Sequence, residues 1–362
     1  MNQGPALRPD ETYNLTVMKP THPNSGFWGT LKRPIYAMAP MADVTDAAFR
    51  RLVARYGKPD IFFTEFVSCD GLCSRGYPHL LQHLYYDESE RPVVAQLFGD
   101  NPDTFREAAS ICRDLGFDGV DINMGCPVKT VIKTGSGAAL IRNPGLALEI
   151  IAATMEGASP LPVSVKTRIG FNRIVAEEWL SHLLESQPAA ITFHLRTQEE
   201  MSKVEAHWDV MGRIVEQAAG SPTLILGNGD IRDLDHADEL IAQTGMDGAM
   251  LGRAIYGNLW LFDRNRSRDE IGLDERLAVM IEHAFLFEST FAGEKNFAVM
   301  RKHLLAHASG FPGSKELRLR LQEVNGAMDV VGAAEWFKSS YGLTGPVGTS
   351  VARQDPVRRQ SA

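Results

Sequence analysis

Cysteine is scarce in this chain of 362 residues. The four cysteines are Cys69, Cys73, Cys112 and Cys126. Four is too few for a disulfide scaffold, and Cys69 and Cys73 lack the second pair of ligands that a structural zinc site needs. We therefore expect reduced thiols, no bound metal and a cytoplasmic protein.

Long apolar runs and an excess of positive charge are also missing. No stretch reaches about 18 consecutive apolar residues, so we expect no membrane span. The first residues contain no apolar run, which argues against a secretory signal. The 37 basic residues against 45 acidic ones give a net charge of −8. This balance excludes a protein that coats nucleic acid through bulk positive charge.

Short apolar runs alternate with amphipathic segments through most of the chain. The runs cover residues 35–38, 61–64, 93–98, 119–123, 163–167, 190–195, 223–226 and 248–251. Continuous apolarity is typical of strands buried on both faces. The runs begin about 25 to 45 residues apart, roughly one βα unit, which predicts an α/β fold of the (β/α)8 TIM-barrel type. A doubly wound sheet is the alternative, but residues 39–42 are not its glycine-rich turn.

The strand pattern stops near residue 263, and helical segments follow at 277–290, 297–308, 314–323 and 333–341. We therefore predict a barrel followed by a smaller C-terminal helical domain, in a chain that acts as a monomer. The predicted regions are an N-terminal arm at 1–30, a catalytic barrel at 31–262, a helical domain at 263–342 and a flexible tail at 343–362.

Polar or backbone-exposing residues occur where the predicted strands end, which is where a barrel places its active site. They are Pro40, Met41, Ala42, Glu65, Gln96, Asn123, Cys126, Lys166, Arg168, His194, Arg196, Asn228, Gly229, Asp230, Gly252 and Arg253. A random arrangement would scatter such groups over both ends of the barrel. This alignment favours an enzyme.

The ends of the last two strands indicate a phosphate site. Small residues there let backbone N–H groups approach phosphate oxygens, and Arg253 adds a charged donor. The alternative is two tight turns without a ligand. Lys166 suits the negative charge of a reduced flavin, and Gln96 suits a planar heterocycle. An internal ion pair of Lys166 with Glu65, and a structural role for His194, remain open.

Cys126 lies in a tight loop just past the fourth predicted strand. An unperturbed thiol has a pKa of about 8.5 and is mostly protonated near neutrality. Such a group suits a general acid better than a nucleophile. The more common alternative is a buried and inert cysteine, the role we assign to Cys69, Cys73 and Cys112.

Residues 295–320, hereafter the basic segment, carry local positive charge in an acidic protein. The basic residues are Lys295, Arg301, Lys302, Lys315, Arg318 and Arg320, against the one acid Glu316, with His303 and His307 nearby. A solvated helix face is the usual explanation for such a run. The acidity of the remaining chain makes a phosphate-binding stripe more plausible.

Several of these motifs together resemble the tRNA-dihydrouridine synthases over about residues 34–325. Asn123-Met-Gly-Cys-Pro127 is the most specific of them. The others are Ala39-Pro-Met-Ala-Asp-Val-Thr-Asp46, Gln96-Leu-Phe-Gly99, Gly135-Ser-Gly-Ala-Ala-Leu140, Val165-Lys-Thr-Arg168, Gly227-Asn-Gly-Asp230, Gly252-Arg253 and Met300-Arg-Lys-His303.

The resemblance implies a barrel that holds FMN, which NADPH reduces, and a tRNA substrate gripped by the helical domain. It implies hydride transfer to C6 of a D-loop uridine, with Cys126 protonating C5 and with Asn123 and Arg168 holding the uracil. The implied cofactor contacts are Pro40, Met41, Ala42, Gln96, Lys166, His194, Asn228, Gly229, Asp230, Gly252 and Arg253.

One departure concerns the substrate cleft. The family usually has glycine after the histidine where this chain has Leu195, and we expect the larger side chain to narrow the cleft. Two other functions remain open: a flavin barrel acting on a free small molecule, and a non-catalytic tRNA-binding protein.

Overall fold

The computed structural model describes residues 22–343, so most of the predicted arm and tail lie outside the described residues. Nine strands form one parallel sheet. They are β1 (Ile35–Met38), β2 (Phe62–Phe63), β3 (Val67–Ser68), β4 (Val93–Phe98), β5 (Gly119–Met124), β6 (Val163–Gly170), β7 (Ala190–Thr197), β8 (Leu224–Asn228) and β9 (Gly248–Leu251).

The sheet closes on itself as a (β/α)8 barrel. Its hydrogen-bonded order runs from β1 through β9, β8, β7, β6, β5 and β4 to β2. A parallel bridge between Ala37 and Ile61 joins the two ends of that path. The second predicted strand is split, because β2 and β3 both pair with β4. The predicted TIM barrel is therefore confirmed.

Helices surround the strands and continue beyond them. Those of the barrel are α1 (Ala47–Tyr56), α2 (Cys69–Leu72), α3 (Tyr77–Leu80), α4 (Pro102–Asp114), α5 (Lys129–Lys133), α6 (Pro144–Ala158), α7 (Ala176–Glu185), α8 (Met211–Gln217) and α9 (Leu234–Thr244). The C-terminal helices are α10 (Leu273–Phe291), α11 (Arg301–His307), α12 (Ser314–Leu321) and α13 (Ala327–Ser340).

Four strands end later than their apolar runs predicted: β5, β6, β7 and β8. The apolar pattern ends where charged residues begin, but β6 continues to Gly170 and β7 to Thr197. The backbone ladder tolerates these residues because their side chains turn into the open end of the barrel. The predicted helix at 297–308 is a 3₁₀ turn, Phe297–Met300, followed by α11.

The described part of the predicted arm packs against the barrel. Residues Pro23–Thr30 form a 3₁₀ helix, and the Trp28 side chain is buried there. Its ring lies 6.5 Å from that of Phe63, in an apolar cluster with residues that begin the strands, such as Ile35 and Leu224. Trp28 therefore closes the amino-terminal end of the barrel, opposite the strand ends that carry the polar residues.

The C-terminal helices share one apolar core with the barrel. Phe49 of α1 lies 4.8 Å from the ring of His303 and 5.6 Å from that of His283. Both histidines are buried. The helical region is thus anchored on α1, beside the end of the barrel where β1 and β2 finish.

Candidate functional site

A cavity of about 340 Å³ opens among the carboxyl ends of the strands. This volume lies within the range of small-molecule sites. Of the strand-end residues predicted from the sequence, Glu65 does not line the cavity. Every residue predicted as a cofactor, substrate or catalytic contact does: Pro40, Met41, Ala42, Gln96, Asn123, Cys126, Lys166, Arg168, His194, Asn228, Gly229, Asp230, Gly252 and Arg253. Parallel strands end at one edge of a barrel, so residues distant in sequence meet there.

The Cys126 loop is held in place by backbone contacts. The backbone N–H of Cys126 donates to Asn123 Oδ1 at 2.9 Å, and its carbonyl accepts from Ala138 N–H at 3.1 Å. A Cβ on Gly137 would lie 2.9 Å from that carbonyl oxygen, and the φ of Gly137 is +61°. Glycine is therefore required at 137, where the backbone passes directly against the thiol loop.

The Cys126 thiol keeps its proton at neutral pH. Burial raises its pKa, and this outweighs the opposing effects of the Val128 backbone N–H and of the charges on Arg168 and Lys166. Cys126 is 7% exposed, at the wall of the cavity. A protonated, fixed thiol next to a cavity can deliver one proton to a bound molecule.

Lys166 presents a buried ammonium group to the cavity. Its Nζ lies 3.3 Å from Asn228 Oδ1, and Asn228 donates in turn to the Met250 carbonyl at 2.7 Å. Burial, followed by repulsion from Arg168, lowers the pKa of Lys166 to about 8. A group with this pKa is still mostly charged at neutral pH and gains from an anionic ligand.

The alternative pairing of Lys166 with Glu65 is wrong. Glu65 instead pairs with Lys295 of the helical region at 2.7 Å and lies 3.3 Å from His83. Its second oxygen accepts the backbone N–H of Asp43 at 2.5 Å. We call Glu65, Lys295, His83 and Asp43 the Glu65 junction. It ties the helical region and residues 77–90 to the loop that follows β1.

Arg168 clamps two loops together. Its Nε donates to the Gly125 carbonyl at 2.7 Å, and its Nη1 donates to the carbonyls of Thr197 and Met201, each at 2.9 Å. Burial, with repulsion from Arg196, lowers its pKa to about 10, so it stays charged at neutral pH. Most of its donors are thus used by the protein itself, while its side chain still lines the cavity.

The end of β8 has the backbone form expected of a close ligand approach. Gly229 has a φ of +131°, and a Cβ there would lie 2.9 Å from that of Ala206. Asp230 follows with a φ of +54°. Its carboxylate is ion-paired with Arg196 and, at 2.6 Å, with Arg253. The two arginines neutralise Asp230, so its negative charge does not repel an anion.

His194 is neutral and its tautomer is fixed. Its Nε2 lies 3.1 Å from Nη1 of Arg196. Because arginine only donates, Nε2 accepts and Nδ1 carries the proton. Burial lowers the pKa of His194, and the charges of Lys166, Arg168 and Arg196 lower it further. His194 is thus a neutral ring among cationic side chains.

The cavity as a whole favours an anionic ligand. Four cationic side chains line it: Lys166, Arg168, Arg196 and Arg253. Among the described residues around it, Asp230 alone adds a carboxylate. A phosphate group or an anionic heterocycle would offset this excess of positive charge.

Sequence reasoning assigned no ligand role to Arg196, Phe66 or Ser202, which also line the cavity. Arg196 stands two residues after His194 on the same strand, and side chains two apart share a face. That periodicity was the available signal. Ser202 lies in an irregular loop without a motif. The expected narrowing by Leu195 is wrong, because Leu195 is fully buried on the opposite face of β7 and does not line the cavity.

The basic segment is less accessible than its composition indicated. Lys295 is buried in the Glu65 junction. His303 and His307 are buried and, like His283, have lowered pKa values, mainly through burial. The prediction that His303 and His307 lie next to an exposed phosphate-binding stripe is therefore wrong.

The remaining cations of the basic segment differ in their surroundings. Arg301 donates to the Val324 carbonyl, and Arg320 stacks 3.8 Å from the ring of Trp336. Lys315 and Arg318 are exposed on α12. The exposed part of the segment is thus centred on α12.

Within residues 22–343, no group of three or more His, Cys, Asp or Glu side chains could hold a metal ion. No single helix in that range has the length and apolarity to cross a bilayer. One pair, Lys129–Arg142 with Pro144–Ala158, passes that test only jointly and is bent by 98°.

Comparison with protein families gives a match over most of the chain. Residues 37–339 match the model of a family described as dihydrouridine synthase. A probable tRNA-dihydrouridine synthase of Staphylococcus epidermidis is 41% identical over 300 residues, which cover 82% of this chain and 91% of the relative. A probable tRNA-dihydrouridine synthase 2 of Bacillus subtilis is 38% identical over 320 residues, covering 87% and 97%.

A solved structure of 2-naphthoyl-CoA reductase, in complex with 2-naphthoyl-CoA, superposes with a TM-score of 0.51 at 10% identity. The match covers 64% of this chain and 49% of that one. At this identity the likeness concerns the fold alone.

Proposed function

This chain belongs to the dihydrouridine synthase family, and we propose that it reduces the C5=C6 bond of a uridine in the D-loop of tRNA. The product is 5,6-dihydrouridine. One observation carries the proposal: the Cys126 thiol, in a loop fixed by hydrogen bonds, stands in the wall of a cationic cavity at the strand ends. Burial raises the pKa of this thiol, which favours its protonated form. Hydride and proton must both reach the C5=C6 bond, and the Cys126 thiol in the cavity wall would supply the proton.

FMN fits the residues that are present. Pro40, Met41 and Ala42 would border its ring system, while Gln96 and Lys166 would bind its polar edge. The phosphate would lie at the ends of β8 and β9, where Gly229 has no Cβ to block it. The contacts there would come from Asn228, Gly229, Asp230, Gly252 and Arg253, with His194 close by.

The charges of this chain support that placement. Lys166 has a lowered pKa and would be stabilised as a cation by negative charge on the ring. Asp230 would contribute through its backbone, because its carboxylate is already paired with Arg196 and Arg253. His194, which is neutral, would contact FMN without adding charge.

When bound, FMN would supply the hydride for C6 of the uracil and would regain it from NADPH. Cys126 would give its proton to C5, and solvent would restore that proton afterwards. The net change is one NADPH and one proton consumed for each uridine reduced. Asn123 and Arg168 would hold the uracil edge with the N–H groups that their protein contacts leave free.

The substrate must enter the cavity as an unstacked base, since the reacting bond lies inside the tRNA fold. The exposed cations of α12, Lys315 and Arg318, would contact tRNA phosphates. The Glu65 junction would keep this helical region in register with the cavity, because Lys295 bridges the two.

The test is to incubate tRNA that lacks dihydrouridine with the protein, FMN and NADPH, and to map the product by mass spectrometry. We expect dihydrouridine at a D-loop position and none with free uridine. Reduction of a free pyrimidine with unmodified tRNA would favour a small-molecule reductase. Tight tRNA binding without any reduction of FMN by NADPH would favour a non-catalytic binding protein.

A further inference from the structure

Asp121 lies beneath the cavity, on β5, with its side chain almost fully buried. Its Oδ1 accepts from Ser164 Oγ at 2.6 Å, and its Oδ2 accepts from Gln96 Nε2 at 2.7 Å. It forms no ion pair within the described part of the chain. Burial raises its pKa to about 6, although Lys166 opposes this. A buried carboxylate is costly, and the proposed reaction gives Asp121 no direct role.

Hydrogen bonds lead from Asp121 up to the thiol loop. Gln96 Oε1 accepts from Asn123 Nδ2 at 3.0 Å. Asn123 Oδ1 in turn accepts the backbone N–H groups of Gly125 at 3.1 Å and Cys126 at 2.9 Å. Two side-chain amides therefore connect the buried carboxylate to the backbone of Cys126.

The carboxylate at one end of this series and the backbone N–H groups at the other allow each side-chain amide only one orientation. An ionised carboxylate only accepts hydrogen bonds and a backbone N–H only donates them. Reversal of Gln96 would place its oxygen against Asp121 and its NH₂ group against that of Asn123. Reversal of Asn123 would turn its NH₂ group toward the Cys126 N–H. Both amides also line the cavity, and each donates one N–H of its NH₂ group within this series.

We propose that Asp121 is a positioning residue which, through Gln96 and Asn123, fixes the Cys126 loop and sets the cavity floor to present N–H donors. The inference rests on the proposed function only where Cys126 is named as the proton donor. The hydrogen-bonded order itself is a property of the free protein and is testable without turnover.

The experiment measures how fast iodoacetamide alkylates each cysteine in full-length protein without added cofactor, by peptide mass spectrometry. Asp121→Leu removes the acceptor, so the amides lose their fixed orientation and the thiol loop is released. We expect alkylation of Cys126 to rise about tenfold, the order expected for a lost hydrogen bond, while Cys69 and Cys112 stay protected. Gln96→Leu interrupts the same series one link later and should act alike.

Asp121→Asn is the matched control. Its amide oxygen can accept from Gln96 while its NH₂ group donates to the Ser164 hydroxyl, so alkylation should stay within about twofold of wild type. In tRNA assays, Asp121→Leu should lower kcat about tenfold and leave the affinity for tRNA unchanged, whereas Asp121→Asn should restore kcat.

Three results would overturn the proposal. The first is that Cys126 is alkylated at the wild-type rate in folded Asp121→Leu and Gln96→Leu. The second is that the alkylation rates of Cys69 and Cys112 rise as much as that of Cys126. The third is that Asp121→Asn behaves like Asp121→Leu. If wild-type protein reduced no tRNA uridine but the alkylation pattern held, the proposed function would fail and the positioning role would stand.

Discussion

The cavity at the strand ends and the basic segment both contain several cations, but their surroundings differ. At the cavity, Lys166 and Arg253 line open space. The four cations there outnumber the one carboxylate, that of Asp230, so an excess of positive charge remains. In the basic segment, Lys295 is paired with Glu65, and Arg320 is stacked on Trp336. A similar composition therefore provides a binding site in one region and internal structure in the other.

The two regions differ because a sequence pattern determines where strand ends lie but not how helices pack. Parallel strands in a barrel all end at the same edge, so the topology alone brings their last residues together. A run of charges on helices carries no such constraint. Which of its members face a core or a neighbouring carboxylate depends on how the helices pack, and packing is not visible in local spacing.

The largest expected effect is the loss of stability when Lys295, which is part of internal structure, is replaced. Breaking a buried ion pair leaves an uncompensated charge and costs roughly 3 to 5 kcal/mol. Lys295→Met should therefore lower the free energy of unfolding by about 3 kcal/mol, measured by urea denaturation. Lys302→Met, in the same segment but outside the Glu65 junction, should change it by less than about 0.5 kcal/mol.

Equal effects of the two substitutions would contradict the assignment of Lys295 to the junction. The Lys295 charge and the His83 contact lower the pKa of Glu65 to about 2 despite its burial. The junction should therefore contribute stability above about pH 4.3, the ordinary pKa of glutamate, and lose it only as the pH falls toward 2.

A second effect should appear as the pH falls through the ordinary histidine range. Burial lowers the pKa of His303 to about 3 and that of His307 to about 4, and it lowers that of His283 as well. Unfolded histidines titrate near 6.5. Their contribution to stability is thus complete above about pH 6.5 and lost below it, at about 1.4 kcal/mol per pH unit for each histidine.

Urea denaturation at pH 7, 6 and 5 measures this loss. His303→Gln removes one titrating group, so the free energy of unfolding should fall less steeply with decreasing pH. The slope should be smaller by the contribution of one proton, about 1.4 kcal/mol per pH unit. An unchanged slope would mean that His303 is charged or solvated in the folded protein, and the basic segment would regain that residue.

The smallest effect is expected at the exposed cations of α12. Lys315→Gln combined with Arg318→Gln should weaken tRNA binding, and the salt slope should fall by about one for each phosphate that the double variant no longer binds. Arg213→Gln, a residue paired with Glu177 on a barrel helix, is the control and should leave the slope unchanged. Filter binding between low and moderate salt measures it. Wild-type binding by the double variant would remove α12 from the RNA interface.

Sequence patterns were sufficient for the barrel and for most of the residues that line the cavity, although they missed Phe66 and Ser202. Periodicity places β4 and β9 at the residues observed, because their apolar runs coincide with their buried lengths. It misplaces the start of α13, which includes Gly332 in its interior. A Cβ at Gly332 would meet no neighbouring atom. The helix continues through this glycine because its cost relative to alanine is only about 1 kcal/mol.

The contacts that organise the cavity were beyond prediction. Glu65 and Lys295 are 230 residues apart, and nothing in local spacing pairs them. Asp121 resembles any polar residue in a strand until its neighbours are known. The cytoplasmic location and the monomeric state stay predictions.

The most direct test of the account separates its two half-reactions in Cys126→Ala. NADPH should reduce the bound FMN at the wild-type rate, because Cys126 takes no part in that step. Formation of dihydrouridine in tRNA should fall by about 10² to 10⁴-fold, the contribution typical of a positioned general acid. Dihydrouridine formation at the wild-type rate would contradict the central claim that Cys126 delivers the proton.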